Sequence, residues 1–292
     1  MLASASPEAL IGPVAAATRR IRVGSGGVML PHYSPFKVAE TFSVLAGLYP
    51  NRIDLGLGRA PGTDQATSLA LQRDRTRQVA DDFPQQLAEL LALLEDRMPE
   101  NHPFARLAAL PGLPERPDPW LLGSSPQSAI WAGELGLPYS FADFINPGAG
   151  GIADLYREKF VDSERRPAPA VAACVWVICA ESEEEAQRLS ASSRMTMSML
   201  RRGTLIPVPP VEKALRYLEG RAPGGSRRRA VIGDPDGVRA GLDEVARHYG
   251  AEELMIVTIT YDHGARRRSY ELIAEAFALG ANAPSVSSTG AG

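Results

Sequence analysis

Residues 119–144 read PWLLGSSPQSAIWAGELGLPYSFADF. An apolar run from Trp120 to Leu122 meets a Gly-Ser-Ser turn, and Ser125-Pro126 then opens a helix with serine as N-cap and proline at the first helical position. A second apolar run follows from Tyr139 to Phe144. Strand, helix and strand in so short a span is the unit of a parallel sheet, because parallel neighbours need a crossover between them.

The same grammar extends in both directions. Ser6-Pro7-Glu8 opens a first helix, Ser34-Pro35 one with Val38, Phe42, Leu45 and Tyr49 on one face, and Asp82-Phe83-Pro84 one with Leu87, Leu90, Leu91 and Leu94. Asp234-Pro235 starts another, striped by Val238, Leu242, Val245 and Tyr249. Further strands are expected at 21–23, 53–57, 171–179 and 254–259, which makes six in all. A dinucleotide-binding sheet needs G-x-G-x-x-G at one turn. Gly24-Ser25-Gly26 is followed at the third position by Met29, and Gly56-Leu57-Gly58 by Pro61, so both fail. Polar, Gly-rich segments (GSGG, GLGRAPG, GSSPQS, ADFINPG) instead follow strand after strand, as in a (β/α)8 barrel of the TIM type, where strand ends jointly build one site.

Composition sets the outer limits. The 292 residues are 45% hydrophobic and 22% charged, an ordinary globular mixture with a sizeable core. A net charge of −3 offers no overall field for a phosphate backbone, so nucleic acid is not an expected partner. No run approaches ~20 uninterrupted apolar residues, so no membrane span is expected. The opening MLASASPEALIGPVAAATRR lacks a basic start and is broken by Pro7 and Pro13, so it reads as a helix rather than a leader. Cys174 and Cys179 share one strand at odd spacing, on opposite faces, as two buried thiols of a cytoplasmic protein. Two excursions interrupt the rhythm, at about 97–118 with five prolines and at 181–230 with the basic cluster Arg227 to Arg229. The Ala, Ser and Gly tail at 281–292 is expected to be disordered, leaving residues 1–280 as one domain.

The four histidines, His32, His102, His248 and His263, form no H-E-x-x-H, and no C-x-x-C occurs, so no metal site is expected. No G-x-S-x-G elbow supports a serine hydrolase. What remains suits an anionic, planar cofactor. In the turn Gly123-Ser124-Ser125-Pro126-Gln127-Ser128 a strand end meets a helix N-terminus, where free N–H groups, the helix dipole and the hydroxyls of Ser125 and Ser128 converge, the form of a phosphate site. Arg59 adds a fixed positive charge at the end of the strand Ile53 to Gly58, whose glycines would let a ring approach the backbone.

Four stretches, IRVGSGGVMLPHYSPFKVAE, LYPNRIDLGLGRAPGTD, DDFPQQLAELL and PWLLGSSPQSAIWAGELGLPYSFADF, resemble the luciferase-like flavin-dependent monooxygenases, which are TIM barrels. That resemblance implies that Arg59, Ser125 and Ser128 hold the phosphate of FMN, with Gly123 and Ser124 in the same turn. It places Gly58 near the reactive edge of the ring and a non-proline cis peptide at Gly26-Gly27 beneath it, where glycine makes the geometry sterically cheap. It implies a monooxygenase that uses reduced FMN and O₂ on a small-molecule substrate, with a flavin reductase as supplier and a homodimer as the assembly. The family barrel also has a strand, helix and strand ahead of the segment matching Ser6, carrying an E-H-H sequence that this chain does not contain. Six strands fall short of eight, so the barrel is expected to be incomplete at its N-terminus and no catalytic residue is assigned. His32 is expected to be a loop residue. Two alternatives accompany the enzyme reading: a catalytically impaired flavin-binding protein of the same descent, and a deazaflavin-dependent oxidoreductase.

Overall fold

The structure is a computed structural model that describes residues 6–59, 69–71, 82–107, 115–148, 150–163, 166–220 and 230–279. The cluster Arg227 to Arg229, part of the first excursion and the tail at 281–292 lie outside the described residues. In chain order the elements are α1 (Pro7–Ala16), β1 (Val23–Met29), α2 (Pro35–Leu48), β2 (Ile53–Gly58), α3 (Phe83–Glu95), β3 (Asp118–Gly123), α4 (Pro126–Glu134), β4 (Tyr139–Ala142) and α5 (Gly150–Lys159). They continue with β5 (Val171–Cys179), α6 (Glu183–Arg201), α7 (Val211–Leu218), β6 (Ala230–Gly233), α8 (Pro235–Tyr249), β7 (Glu253–Val257) and α9 (His263–Ala276). Contacts divide the chain into two compact units, Met1–Ser140 with Leu155–Ala170, and Phe141–Asp154 with Val171–Gly292.

In the first unit β1, β2 and β3 are parallel neighbours. Alternation along β2 decides its two faces. Ile53, Leu55 and Leu57 are buried, on the unit's apolar side, where α2 packs against β2 and α3 and contributes Phe42 and Val38. Burying each such side chain contributes roughly 1.5–3 kcal/mol. The other face of β2 carries Asp54, Gly56 and Gly58, in register with Asp118, Trp120 and Leu122 on β3. At the strands' N-terminal ends this face is charged: Arg22 pairs with Asp54 and reaches Asp118 at 3.4 Å, and Arg166 holds Asp118 at 2.7 Å. Arg22, Asn51, Arg116, Asp118 and Arg166 line a polar cavity of about 270 Å³ there. Toward the C-terminal ends, glycines replace side chains.

In the second unit β5 pairs in parallel with β6 through Trp176 to Cys179 and with β7 through Ala172 to Trp176. Its apolar run is largely buried on both faces, as expected of a strand covered by helices; α8 and α9 both pack against it. Ile178 and Ala180 meet Ala186 and Leu189 of α6 and Val211 of α7 in one core cluster.

Several expectations need correction. Seven strands, not six, occur among the described residues, because Ala230–Gly233 forms a four-residue β6 that begins where the second excursion is expected to end. The first strand is Val23–Met29 rather than 21–23, so the GSGG segment lies within it; pairing with β2 overrides the low strand propensity of glycine. Helices α5 and α7 carry no start signal that the grammar above recognises. Among the proline starts, Ser125 and Asp234 cap through their side chains, whereas Ser6, Ser34 and Asp82 make no side-chain cap bond. No helix among the described residues is long and apolar enough to cross a membrane.

Candidate active site

The candidate residues lie in the first unit, toward the C-terminal ends of β1, β2 and β3. On β1 the Gly26-Gly27 peptide bond is cis. Gly26 pairs with Gly56, and the register shifts between Gly26 and Val28, leaving Gly27 as the extra residue. A Cβ on Gly27 would lie 2.7 Å from the Gly56 carbonyl oxygen, so side-chain bulk is excluded there by backbone. A Cβ on Gly26 would meet nothing within 4 Å. Gly26 thus presents exposed backbone with open space beside it, where a planar group can approach. Gly58 ends β2 between Met29 and Leu122, with the Met29 sulfur 3.1 Å from where its Cβ would be.

Arg59 follows at the strand end and is exposed. The register Gly58 to Leu122 sets it level with Gly123 on β3. Its guanidinium carbon lies 5.3 Å from the centroid of the Trp131 ring, over the ring face. Trp131 packs in turn against Phe83, centroids 5.6 Å apart, and Phe83 is buried at the start of α3.

The turn into α4 is built on hydroxyls. Ser125 caps the helix, its Oγ accepting from the Ser128 N–H at 3.3 Å. Ser128 Oγ donates to the Ser125 carbonyl at 2.9 Å and lies 2.7 Å from Tyr139 Oη. With the Ser128 proton committed to that carbonyl, Tyr139 is the donor in the second bond. Burial pushes the Tyr139 hydroxyl up to about 12, against the opposing pull of its bond to Ser128, so it stays protonated and can donate. Gly123 lets the turn close on this pair: a Cβ there would sit 2.2 Å from Ser128 Oγ and 2.6 Å from Tyr139 Oη. Ser128 is buried and internally committed, Ser124 is half-buried at the bend, and Ser125 is exposed at the helix N-terminus.

The structure therefore gathers Gly123, Ser125 and Ser128 into one hydrogen-bonded turn and sets Gly26, Gly58 and Arg59 on the two strands beside it. Two residues that sequence reasoning passed over complete the arrangement, Tyr139 and Trp131. Trp131 was detectable as the position three beyond Ser128 on the α4 face. His32 ends a short 3-10 turn after β1. Among the described residues no group of three or more His, Cys, Asp or Glu could hold a metal ion. In the second unit, buried Asp143 accepts from Tyr249 Oη at 2.9 Å.

The sequence model of luciferase-like monooxygenases matches residues 3–253. The chain belongs to this family. It is 45% identical over 283 residues to the uncharacterized protein YwcH of Bacillus subtilis (strain 168), covering 95% of this chain and 85% of that protein. It is 40% identical over 276 residues to the luciferase-like monooxygenase of Escherichia coli (strain K12), covering 93% and 81%. The crystal structure of apo-MsnO8 superposes with a TM-score of 0.84 at 41% identity, covering 94% of this chain and 82% of that one. The fold is thus the α/β, TIM-type architecture of the family, and the seven strands among the described residues fit an incomplete barrel. More distant structures share the fold. They include the oxygenating constituent of 3,6-diketocamphane monooxygenase in complex with FMN, at a TM-score of 0.65 and 20% identity. Another is an F420-dependent secondary alcohol dehydrogenase, at 0.60 and 15%.

Proposed function

We propose that this family member is an FMN-dependent monooxygenase that uses reduced flavin and O₂ to oxidise a small organic substrate. The observation that carries the reading is the start of α4: the exposed residue Ser125 on a helix N-terminus, with the Arg59 charge supplied from the neighbouring strand end. Both features suit a phosphate. The open space at Gly26, beside a face where Gly56 and Gly58 carry no side chain, suits a flat ring. The group that bears both is a flavin mononucleotide. Related folds hold FMN in one case and use F420 in another; the phosphate turn by itself suits either, and the titration below separates them.

In this reading Arg59 and Ser125 bind the phosphate. Ser128 and Tyr139 keep the Ser125 turn in place. Gly26 leaves its backbone clear for the ring, Gly27 and Gly58 let the strands and the Met29 side chain close up beside it, and Gly123 and Ser124 shape the turn. When bound, FMN supplies the electrons and the oxygen-activating ring. The chain orients it and keeps water from the reacting atoms. Delivery of reduced FMN by a separate reductase, residence in the cytoplasm and assembly as a homodimer belong to the same proposal. A dimer would cover the exposed Leu10 and Val14 of α1 and Val44 and Leu48 of α2, two helices in contact.

Flavin titration tests the reading. Wild type binds FMN more tightly than F420, Arg59→Ala weakens FMN about ten- to hundredfold, and Ser125→Ala weakens it several-fold. Equal FMN affinity in all three proteins overturns the site. Substrate-dependent oxygen incorporation with reduced FMN separates the enzyme from a flavin-binding protein without turnover.

A further inference from the structure

The polar cavity at the N-terminal ends of β1 to β3 has no part in the function proposed above. It lies in the first unit, at the far end of β2 from Gly58 and Arg59, and a strand of six residues is about 20 Å long. Three guanidinium groups line it, those of Arg22, Arg116 and Arg166, and the carboxylates that meet them are Asp54 and Asp118. Arg22 is committed: its Nε donates to Asp54 Oδ2 at 3.1 Å, its Nη1 to the Asn51 carbonyl at 3.3 Å, and its Nη2 reaches Asp118 at 3.4 Å. Arg166 donates from Nη2 to Asp118 at 2.7 Å, and its Nε and Nη1 have no acceptor among the described residues. The Arg116 guanidinium has no ion-pair partner among the described residues, its neighbour Glu115 included. Two carboxylates thus answer two of the cations, and the third positive charge stays in the cavity wall.

The two arginines with donors to spare are anchored at their backbones. Arg116 precedes the buried Pro117, which holds it to extended backbone, directly before β3. The Arg166 N–H donates to the Ser163 carbonyl at 3.0 Å, and the Ser163 N–H donates back to the Arg166 carbonyl at 3.0 Å. Planar guanidinium forks so placed match the oxygens of a phosphate or a carboxylate. The cavity, about 270 Å³, has room for such a group with a few further atoms attached.

We propose that this cavity is a second binding site of the chain and takes the oxyanion of a small metabolite, a phosphate or a carboxylate, on Arg116 and Arg166. Arg22 supplies charge rather than donors, and Asp118 holds Arg166 in place.

The experiment counts bound anion, not turnover: equilibrium dialysis of radiolabelled inorganic phosphate against the full chain, at constant ionic strength because salt screens exposed charges. Arg59→Ala is the background, so that the start of α4 does not contribute. In that background one phosphate binds per chain. Adding Arg116→Ala, a change at an exposed residue, weakens it about tenfold, and Arg116→Lys, which keeps the charge, recovers part of the loss. Arg166→Gln weakens it by a similar factor in protein that circular dichroism shows to be folded. Displacement of the label by glycerol phosphate or by succinate tells a phosphoryl ligand from a carboxylate one. No bound phosphate in the Arg59→Ala protein, equal affinity with and without Arg116, or no displacement by either competitor overturns the proposal. Flavin titration decides the FMN reading separately, so either can fail without the other.

Discussion

The hydroxyl of Tyr139, at the start of β4, lies 2.7 Å from that of Ser128 in the first turn of α4. The bond ties the end of one βα unit to the start of the next strand, and the Tyr139 ring is buried against Tyr156, centroids 5.7 Å apart. Tyr139→Phe keeps the ring and removes the bond. It is expected to cost about 0.5–1.5 kcal/mol in denaturant unfolding. The pH dependence has a definite sign. The folded-state hydroxyl is raised to about 12 from the ordinary 10, so its contribution is complete below pH 10 and is lost as pH climbs through 12. Ionising the hydroxyl in the folded protein costs roughly 2–3 kcal/mol more than in the unfolded chain, because burial disfavours the phenolate. Wild type should therefore lose stability between pH 10 and 12 more steeply than Tyr139→Phe, and parallel curves would refute the assignment.

The glycines of β2 are not equivalent. A Cβ on Gly56 would sit 2.1 Å from the Ser25 carbonyl oxygen and 2.9 Å from Leu122 Cδ1, and the first of these is backbone that cannot step aside. On Gly58 the nearest atom is the Met29 sulfur at 3.1 Å, the end of an adaptable side chain. Gly56→Ala should destabilise by about 1–3 kcal/mol or more, and Gly58→Ala by less than about 1 kcal/mol. Thermal unfolding of the two variants side by side checks the order.

How these positions were legible differs from one to the next. The α4 start is readable because Ser-Pro fixes a helix N-terminus locally, and Ser125 does cap it. Gly26 and Gly27 read locally as a turn. Only pairing with Ile53 to Gly58, some thirty residues on, makes them strand. Arg59 over Trp131 lay beyond sequence reasoning for the same reason, since the contact joins two different βα units. Strand β6 is short, and its pairing with Trp176 to Cys179 carries no local signature.

The two cysteines should be unreactive in the folded protein. Burial, with Asp143 adding to it, pushes the Cys174 thiol up to about 11. Burial also raises Cys179 to about 11, helped by Asp234 and Glu181 against Arg268. At pH 8 each then carries roughly a hundredfold less thiolate than a thiol at its ordinary value. Labelling with a disulfide reagent should be slower by at least that factor in the native protein than in denaturant. A fast native phase would mean that one thiol lies in a more polar setting than the structure gives it.

Ser125 and Ser182 permit a control within one chain. Each is an N-cap whose Oγ accepts a backbone N–H three residues on, from Ser128 and from Glu185, both at 3.3 Å. Loss of either cap should cost about 1 kcal/mol, so Ser125→Ala and Ser182→Ala should unfold at similar denaturant concentrations. They differ in what lies around the cap. Ser182 is followed by Glu183, Glu184 and Glu185, which already answer the positive helix end and would repel an anion. No acidic residue occupies the first turn of α4, so that helix end lacks the negative charges that stand at the start of α6. Only Ser125→Ala should therefore weaken FMN, with riboflavin little affected, when the two variants are titrated together. If Ser182→Ala weakens FMN as much, the effect belongs to stability and the phosphate does not sit at Ser125.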